Sequence, residues 1–185
     1  ATLPFFILLY EWYFFQDLSR QWLRKHAWEI VAIFLVLAVI ALLYLGDSPL
    51  DRILRGYARR DFSMGQRLLT QSRVVVFYFG LLLFPHPSRL NLDHDFSISH
   101  SLLEPVTTLV ALVFLANLLI LAVVFARRQR LLSFCVLWVL GNLVIESSVI
   151  GLEMVFEHRM YLPSMLAILT VVVLAQRYVR PGWVA

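Results

Sequence analysis

The chain consists mainly of long apolar runs that are separated by short polar stretches. A helix that crosses the hydrocarbon layer of a membrane needs about 20 apolar residues, with about 17 as the lower limit. The runs that we predict to cross on this basis are 28–46, 104–125, 131–151 and 161–176. Run 1–16 is predicted to be the end of a fifth crossing, because the aromatic cluster YEWYFF at its far end is typical of a membrane interface.

A sixth run, 68–84, is short and carries Arg73 near its start. It fits either a short span whose arginine reaches the interface or a re-entrant hairpin. Residues 47–67 predict an amphipathic helix that lies on an anionic membrane surface. Its apolar positions are Leu50, Ile53, Leu54 and Tyr57, and its basic positions are Arg52, Arg55, Arg59 and Arg60. Because no internal repeat or linker is present, residues 1–185 are predicted to be part of one all-α, polytopic transmembrane bundle of five to six segments.

The basic residues of the loops bear on which runs cross. If all six runs cross, one side holds Arg20, Arg24, Lys25, Arg89 and Arg159, and the other holds Arg52, Arg55, Arg59, Arg60, Arg67, Arg127, Arg128, Arg130, Arg177 and Arg180. This division of five to ten favours six crossings, with the ten-arginine side in the cytoplasm. If 68–84 does not cross, the division becomes eight to seven and is uninformative. In both cases the cluster 127–130 is placed in the cytoplasm, so the loops 85–103 and 152–160 face outward.

Composition agrees with a membrane protein: 61% of the residues are hydrophobic and 15% are charged, whereas roughly a quarter are charged in a soluble domain. The net charge is +4, and such an excess of basic residues in a membrane protein is typical of its cytoplasmic loops. No aromatic-basic motif indicates nucleic-acid binding. The single cysteine, Cys135, excludes an intrachain disulfide. The start ATLPFF does not fit a signal peptide and is expected to be cut from a longer protein.

Four polar residues recur on one side of the helix predicted to begin near residue 131. With Asn142 at zero, Glu146, Glu153 and Glu157 lie at about 40°, about 20° and about 60°. A lone carboxylate such as Glu146 is strongly disfavoured in hydrocarbon. The stripe therefore predicts a hydrophilic cavity that leads to Glu157 at the outer face. The alternative is an interhelical hydrogen-bond stripe in which Glu146 is neutral or paired with an arginine.

The loop LFPHPSRLNLDHDFSISH contains Asp93, His94 and Asp95 in succession, with His86 and His100 on either side. Carboxylates and imidazoles can bind a divalent cation, although the spacing matches no fixed metal motif. The alternatives are contact with a substrate and a polar loop in which a side chain caps a turn.

The motif EHRMYLPS places an acid, an imidazole and a guanidinium directly before an apolar run. Arg159 could bind a phosphate or pyrophosphate with its fork of donors. Glu157 could orient that group or act as a base, and His158 could transfer a proton near neutral pH. The alternative is an interfacial salt bridge between Glu157 and Arg159 that anchors a tight turn.

Three blocks carry a family resemblance: ATLPFFILLY, then RLLTQSRVVVFYF with FPHPSRLNLDHDF, then ESSVIGLEMVFEHRMYLPS. In order and rough spacing, across nearly the whole chain, they resemble the membrane region of bacterial membrane proteins that contain tetratricopeptide repeats. These proteins are similar to the eukaryotic TMTC O-mannosyltransferases. No tetratricopeptide repeat is visible in residues 1–185, so a repeat domain that recruits partners would lie downstream.

The resemblance implies a GT-C type enzyme that transfers sugar from a polyprenyl-phosphate carrier to a protein or glycan acceptor. It implies the bacterial inner membrane, with the motif loops facing the periplasm. The catalytic acid of such enzymes normally lies in the first extracytoplasmic loop, which is expected upstream of residue 1. Glu157 and His158 remain as candidate assisting groups. The candidate substrate-binding residues are Arg159, Arg89, Asp93, His94, Asp95, Glu146 and Glu153.

Two other functions stay open. The chain could be a non-catalytic membrane scaffold whose repeat domain recruits partners to an envelope assembly. It could also be an ion or proton transporter that uses Glu146, although no inverted repeat or pair of broken helices is visible.

Overall fold

A computed structural model describes residues 2–45, 57, 60, 62–85, 96–144, 147, 155 and 157–178. These residues form seven α-helices and no strand, which confirms the all-α prediction. The helices are α1 (Leu3–Tyr10), α2 (Arg20–Lys25), α3 (Ala27–Leu45), α4 (Met64–Leu83), α5 (Thr107–Val124), α6 (Arg130–Val144) and α7 (Tyr161–Tyr178). A π-helical turn, Glu11–Phe15, follows α1, and a 3-10 turn, Glu157–Met160, precedes α7.

Serine side chains fix the starts of two helices. Ser63 begins α4 with a capping box, in which its hydroxyl accepts from the Gln66 amide at 3.3 Å and the Gln66 side chain accepts from the Ser63 amide at 2.8 Å. Ser19 likewise accepts from the backbone of Trp22 at the start of α2. These bonds satisfy amide groups that have no partner inside the helix.

Helix α6 lies at the centre and runs opposite to its neighbours. Near its end, Asn142 Oδ1 accepts from the Thr2 hydroxyl at 3.1 Å, and near its start Ser133 shares a 3.0 Å hydrogen bond with Tyr13. Ser133 also donates to the carbonyl of Ala122 in α5 at 2.6 Å. The Trp138 indole donates to the carbonyl of Leu162 in α7 at 2.9 Å. Helices α1, α5 and α7 are therefore parallel to one another and antiparallel to α6.

These directions define two ends of the bundle. We call the end where α1, α4, α5 and α7 begin the motif end, because the turn Glu157–Met160 lies there. We call the opposite end, with segments 16–26 and 125–130, the basic end. Its described basic residues are Arg20, Arg24, Lys25, Arg127, Arg128, Arg130 and Arg177.

After α4 the chain returns alongside that helix. The Phe96 ring lies 6.2 Å from that of Phe77, the Ser99 backbone amide donates to Thr70 Oγ1 at 2.9 Å, and the side-chain Nε2 of Gln66 donates to His100 Nδ1 at 3.1 Å. Residues 96–100 thus run backwards along α4 to its first turn. As a result, α4 and α5 begin at the same end of the bundle.

These helix directions differ from the six alternating crossings that the loop charges favoured. Segment 16–26 lies at the basic end together with residues 125–130. This arrangement corresponds to the alternative in which 68–84 does not cross and the loop charges divide eight to seven. Residues 96–103 and 157–160 share the motif end. The physical reason is that the first half of α4 buries polar side chains, which need hydrogen-bond partners inside the bundle. The returning chain supplies those partners, and hydropathy alone carries no signal for this.

The described helices are consistent with membrane association. Thr107–Val124 and His158–Arg177 are long and apolar enough to cross a membrane, and shorter apolar helical stretches cover Leu3–Phe15, Ala27–Ile40 and Arg130–Val144. Helix α5 turns Thr108 and Ala111 inward, whereas Val124 is 67% exposed. Large apolar side chains on the outside are typical of helices that contact lipid. Most of the predicted amphipathic helix 47–67 lies outside the described residues.

Candidate functional site

The first half of α4 carries a buried polar face. Arg67 and Thr70 are inaccessible to solvent, and Gln71 is buried beside them. Three and four residues separate positions on one side of a helix, so these side chains share a face that continues into Val74 and Tyr78. This face is polar near the motif end and apolar further along. The charge of Arg67 also affects Tyr57. Burial raises the pKa of Tyr57, and the positive charge of Arg67 opposes that rise.

Three hydroxyl groups connect α4, the returning segment and α5. Thr70 accepts from the Ser99 amide at 2.9 Å and donates to the Gln66 carbonyl at 2.7 Å. The hydroxyls of Ser99 and Thr108 share a 2.8 Å hydrogen bond. Thr70, Ser99 and Thr108 are all 0% exposed. Their loss would leave buried polar groups without partners, so this network fixes the returning segment against both helices.

Arg73 makes hydrogen bonds to the returning segment 96–100. Its guanidinium donates to the Ser97 carbonyl at 2.8 Å, to the Ser97 hydroxyl at 3.1 Å and to the Ser99 hydroxyl at 3.4 Å. It also lies 4.9 Å from the centre of the Phe96 ring, within cation–π distance. Arg73 therefore binds the protein's own returning chain.

We expect Arg73→Gln to loosen residues 96–100, because a glutamine cannot supply the same fork of donors. Amide hydrogen exchange in the peptide that covers 96–100 should become about tenfold faster, which corresponds to about 1.4 kcal/mol. Arg128→Gln, at the exposed basic end, is the matched control and should leave this peptide unchanged. Equal exchange in Arg73→Gln and wild type would contradict the assigned role.

The motif EHRMYLPS forms one 3-10 turn and the start of α7. Arg159 is only 9% exposed, Met160 is buried and His158 is exposed. Pro163 is buried in the first turn of α7. Met160 belongs to the core cluster of Val74 and Tyr78, so the motif packs against the apolar continuation of the polar face of α4.

An apolar groove begins at the motif. It has a volume of about 610 Å³ and lies between α1, α6 and α7. Its lining residues are Leu3, Phe6, Ile7, Tyr10, Phe134, Trp138, Leu162, Met165, Leu166 and Leu169. Leu162, at its edge, follows Arg159 by three positions. The buried Arg159 and the first α7 residue of the groove thus lie three positions apart in the chain at this end of the bundle.

Several predicted site residues are not placed by the structure. Arg89, Asp93, His94, Asp95, Glu146 and Glu153 lie outside the described residues, as does the side chain of Glu157. Among the residues that the structure describes, no group of three or more histidine, cysteine, aspartate or glutamate side chains could hold a metal ion. The divalent-cation site in the loop 83–100 therefore stays a prediction.

The predicted polar stripe along α6 needs one correction. The angles assumed a continuous helix to Glu157, but Glu157 lies in the 3-10 turn that leads into α7. Glu157 is thus not a member of an α6 stripe. Asn142 is described: its Oδ1 accepts from the Thr2 hydroxyl at the start of α1, and its Nδ2 donates to the Trp138 carbonyl of its own helix at 2.8 Å. The bond to Thr2 is a contact of the kind that the interhelical hydrogen-bond alternative predicts, and the choice between the two alternatives for Glu146 stays a prediction.

Sequence reasoning missed the hydroxyl network and the burial of Arg67. The available signal was the density of polar residues in RLLTQSR, at the start of a run otherwise fit to span a membrane.

As for known proteins, no family model matches the chain, and no curated protein or solved structure matches it significantly.

Proposed function

We propose that this chain is the membrane region of a GT-C type glycosyltransferase, which binds a polyprenyl-phosphate-linked sugar donor at the motif end. The observation that carries the proposal is the succession of the buried Arg159 and the apolar groove that begins at Leu162. A lipid-linked phosphate needs both features, a cation for its head and an apolar surface for its tail.

Arg159 would hold the donor phosphate. A guanidinium offers a planar fork of donors that matches phosphate oxygens, and burial strengthens such an interaction because the surroundings are less polar than water. His158, the preceding residue, is exposed and would assist the transfer. Glu157 would orient these groups. Arg89, Asp93, His94 and Asp95 would contact the sugar or the acceptor from the neighbouring loop.

The groove between α1, α6 and α7 would hold the first isoprenoid units of the carrier. Its walls are almost entirely leucine, isoleucine, methionine and aromatic side chains, which bury hydrocarbon favourably. Met165 adds a flexible side chain that adapts to a branched chain. The groove continues along α7 as far as Leu169, away from Arg159 and into the apolar part of the bundle.

The membrane arrangement that fits this function has five crossings, by α1, α3, α5, α6 and α7. Helix α4 and the chain that returns beside it would form a re-entrant element, because α4 begins at the motif end and the returning chain comes back to the same end. The short basic segment that contains Arg127, Arg128 and Arg130 would lie in the cytoplasm. The motif end would then face the periplasm of a bacterial inner membrane, where the acceptor protein or glycan is available.

The test is transfer of labelled sugar from a polyprenyl-phosphate donor by the full-length protein in membranes. We expect Arg159→Gln to lower kcat/KM about tenfold or more, as for the loss of a charge-assisted contact. Glu157→Gln should show a smaller loss, and Arg128→Gln, at the opposite end, should be as active as wild type.

Because Arg159 is buried, its variant must also be shown to fold. Cys135 is buried and is the only cysteine, so its reaction with a maleimide dye during heating reports unfolding. A folded Arg159→Gln protein with full activity would contradict the proposal. So would folded wild-type protein that transfers no sugar from any donor, and the scaffold function would then be preferred.

A further inference from the structure

A second cavity lies at the basic end, on the opposite side of the bundle from the motif. It has a volume of about 600 Å³ and is enclosed by the turn after α1, the end of α5 and the first half of α6. Its lining is mostly apolar and includes the half-buried Leu9 and Leu137 together with Val123, and the exposed Arg20 and Arg127 form its mouth. It shares no lining residue with the groove beside the motif.

The two arginines are not used by the rest of the described chain. Within the described ranges, no hydrogen bond or ion pair engages the side chain of Arg20 or Arg127, whereas Arg130 pairs with Asp17 at 2.6 Å. Glu11, another acid at this end, accepts from Gln16 at 2.8 Å. Among the residues that the structure describes, no carboxylate lines the cavity. Two arginines that line one cavity, with no acidic side chain among its described lining residues, suit a phosphate.

The wall of the cavity is built in an unusual backbone conformation. Asp17 and Leu18 follow the π-helical turn with φ angles of 49° and 57°, which cost about 1 kcal/mol or more for each residue that is not glycine. The turn is held by hydrogen bonds from the Leu18 amide to the Trp12 carbonyl at 3.0 Å and from the Trp12 indole to the Ser19 carbonyl at 3.1 Å. This conformation buries Leu18 in the cavity wall and brings Arg20 to its mouth. Backbone strain of this kind is often retained at binding sites.

The apolar part of the cavity indicates where the phosphate comes from. A soluble phosphate would use only the mouth, whereas a lipid would also fill the space between Leu9, Val123 and Leu137 with the upper part of an acyl chain. The cavity also opens beside apolar helix surfaces, such as that of Val124. A cationic mouth above an apolar interior therefore matches an anionic phospholipid at the membrane surface.

We propose that this cavity binds an anionic phospholipid, whose phosphate is held by Arg20 and Arg127 and whose acyl chain contacts Leu9, Val123 and Leu137. The Trp12 ring forms the aromatic side of the site, as at other lipid interfaces. The bound lipid would occupy the corner between α1, α5 and α6. This site is distinct from the one proposed for the sugar donor, because Arg20 and Arg127 lie at the end opposite Arg159 and the two cavities share no lining residue.

The test measures binding of phosphatidylglycerol to the full chain, purified in detergent, by native mass spectrometry. We expect wild type to retain phosphatidylglycerol, and the double variant Arg20→Gln/Arg127→Gln to bind it about tenfold or more weakly. The control is Arg128→Gln/Arg177→Gln, which removes the same charge at the same end from residues that do not line the cavity. The control should bind as wild type does.

Three outcomes would overturn the proposal. They are equal affinity of the two double variants, equal affinity of wild type for phosphatidylcholine, and competition by inorganic phosphate at concentrations as low as those of the lipid. The last outcome would indicate a site for a soluble anion. Arg20 and Arg127 are exposed, so both double variants should fold, and the thermal reaction of Cys135 in the absence of lipid checks this.

Discussion

Gly141→Val is expected to lower the thermal unfolding midpoint by about 4 to 8 °C, which corresponds to about 2 kcal/mol for a chain of this size. Gly141 lies in α6 where α1 crosses it, and a Cβ atom there would be 2.7 Å from Cζ of Phe6. Phe6 is only 2% exposed, and its ring lies 4.6 Å from that of Trp138. The ring therefore has little room to move, and the added methyl groups must push α1 away from α6.

The midpoint is measured in detergent by the reaction of Cys135 with a maleimide dye. Gly65→Val is the matched control, because a Cβ at Gly65 meets nothing within 4 Å; its midpoint should change by less than about 2 °C. In a Phe6→Leu background, the smaller side chain should leave space and reduce the penalty of Gly141→Val. An unchanged midpoint for Gly141→Val would show that α1 does not pack against α6 at this position.

Thr70→Val is expected to destabilise the protein by about 2 kcal/mol. Valine has nearly the shape of threonine, so the change removes a hydroxyl without creating a large cavity. It leaves the buried Ser99 amide without an acceptor and the Gln66 carbonyl without its side-chain donor. A buried donor left unpaired costs about 1 to 3 kcal/mol. Exchange of the Ser99 amide should also become faster.

The control for this substitution is Thr107→Val, because Thr107 is exposed in the first turn of α5. Its effect on the unfolding midpoint should be small, within about 0.5 kcal/mol. Thr70→Ser retains the hydroxyl and should lose less stability than Thr70→Val. If Thr70→Val were as stable as wild type, the returning segment would not depend on this hydroxyl.

Much of the fold was predictable because apolar length is a property of the sequence itself. The runs 28–46, 104–125, 131–151 and 161–176 correspond to α3, α5, α6 and α7, and run 1–16 contains α1 and the π-helical turn. The direction of each helix was less predictable. Apolar length does not distinguish a crossing from a helix whose following chain turns back beside it. That distinction rests on contacts such as Thr70 with Ser99, which are 29 residues apart.

The candidate site was predictable only in part. The sequence indicates EHRMYLPS through its charge beside an apolar run, and the structure adds that Arg159 is buried while His158 is exposed. The apolar groove and the cavity at the basic end were not predicted, since their walls come from residues far apart in the chain. Leu9 and Leu137, for example, meet only because α1 and α6 are antiparallel neighbours.

The return of the chain beside α4 has an electrostatic consequence. Each α-helix carries a dipole equivalent to about half a positive charge at its start and about half a negative charge at its end. At the motif end, α1, α4, α5 and α7 begin and α6 ends; α3 also ends there, because it begins at the basic end and its Phe34 ring lies 6.4 Å from that of Phe5, near the start of α1. Four starts against two ends leave about one net positive charge from the backbone alone, whereas six alternating crossings would cancel. The bundle is therefore polarised along its length, and the field of its peptide groups attracts anions to the motif end before any side chain contributes.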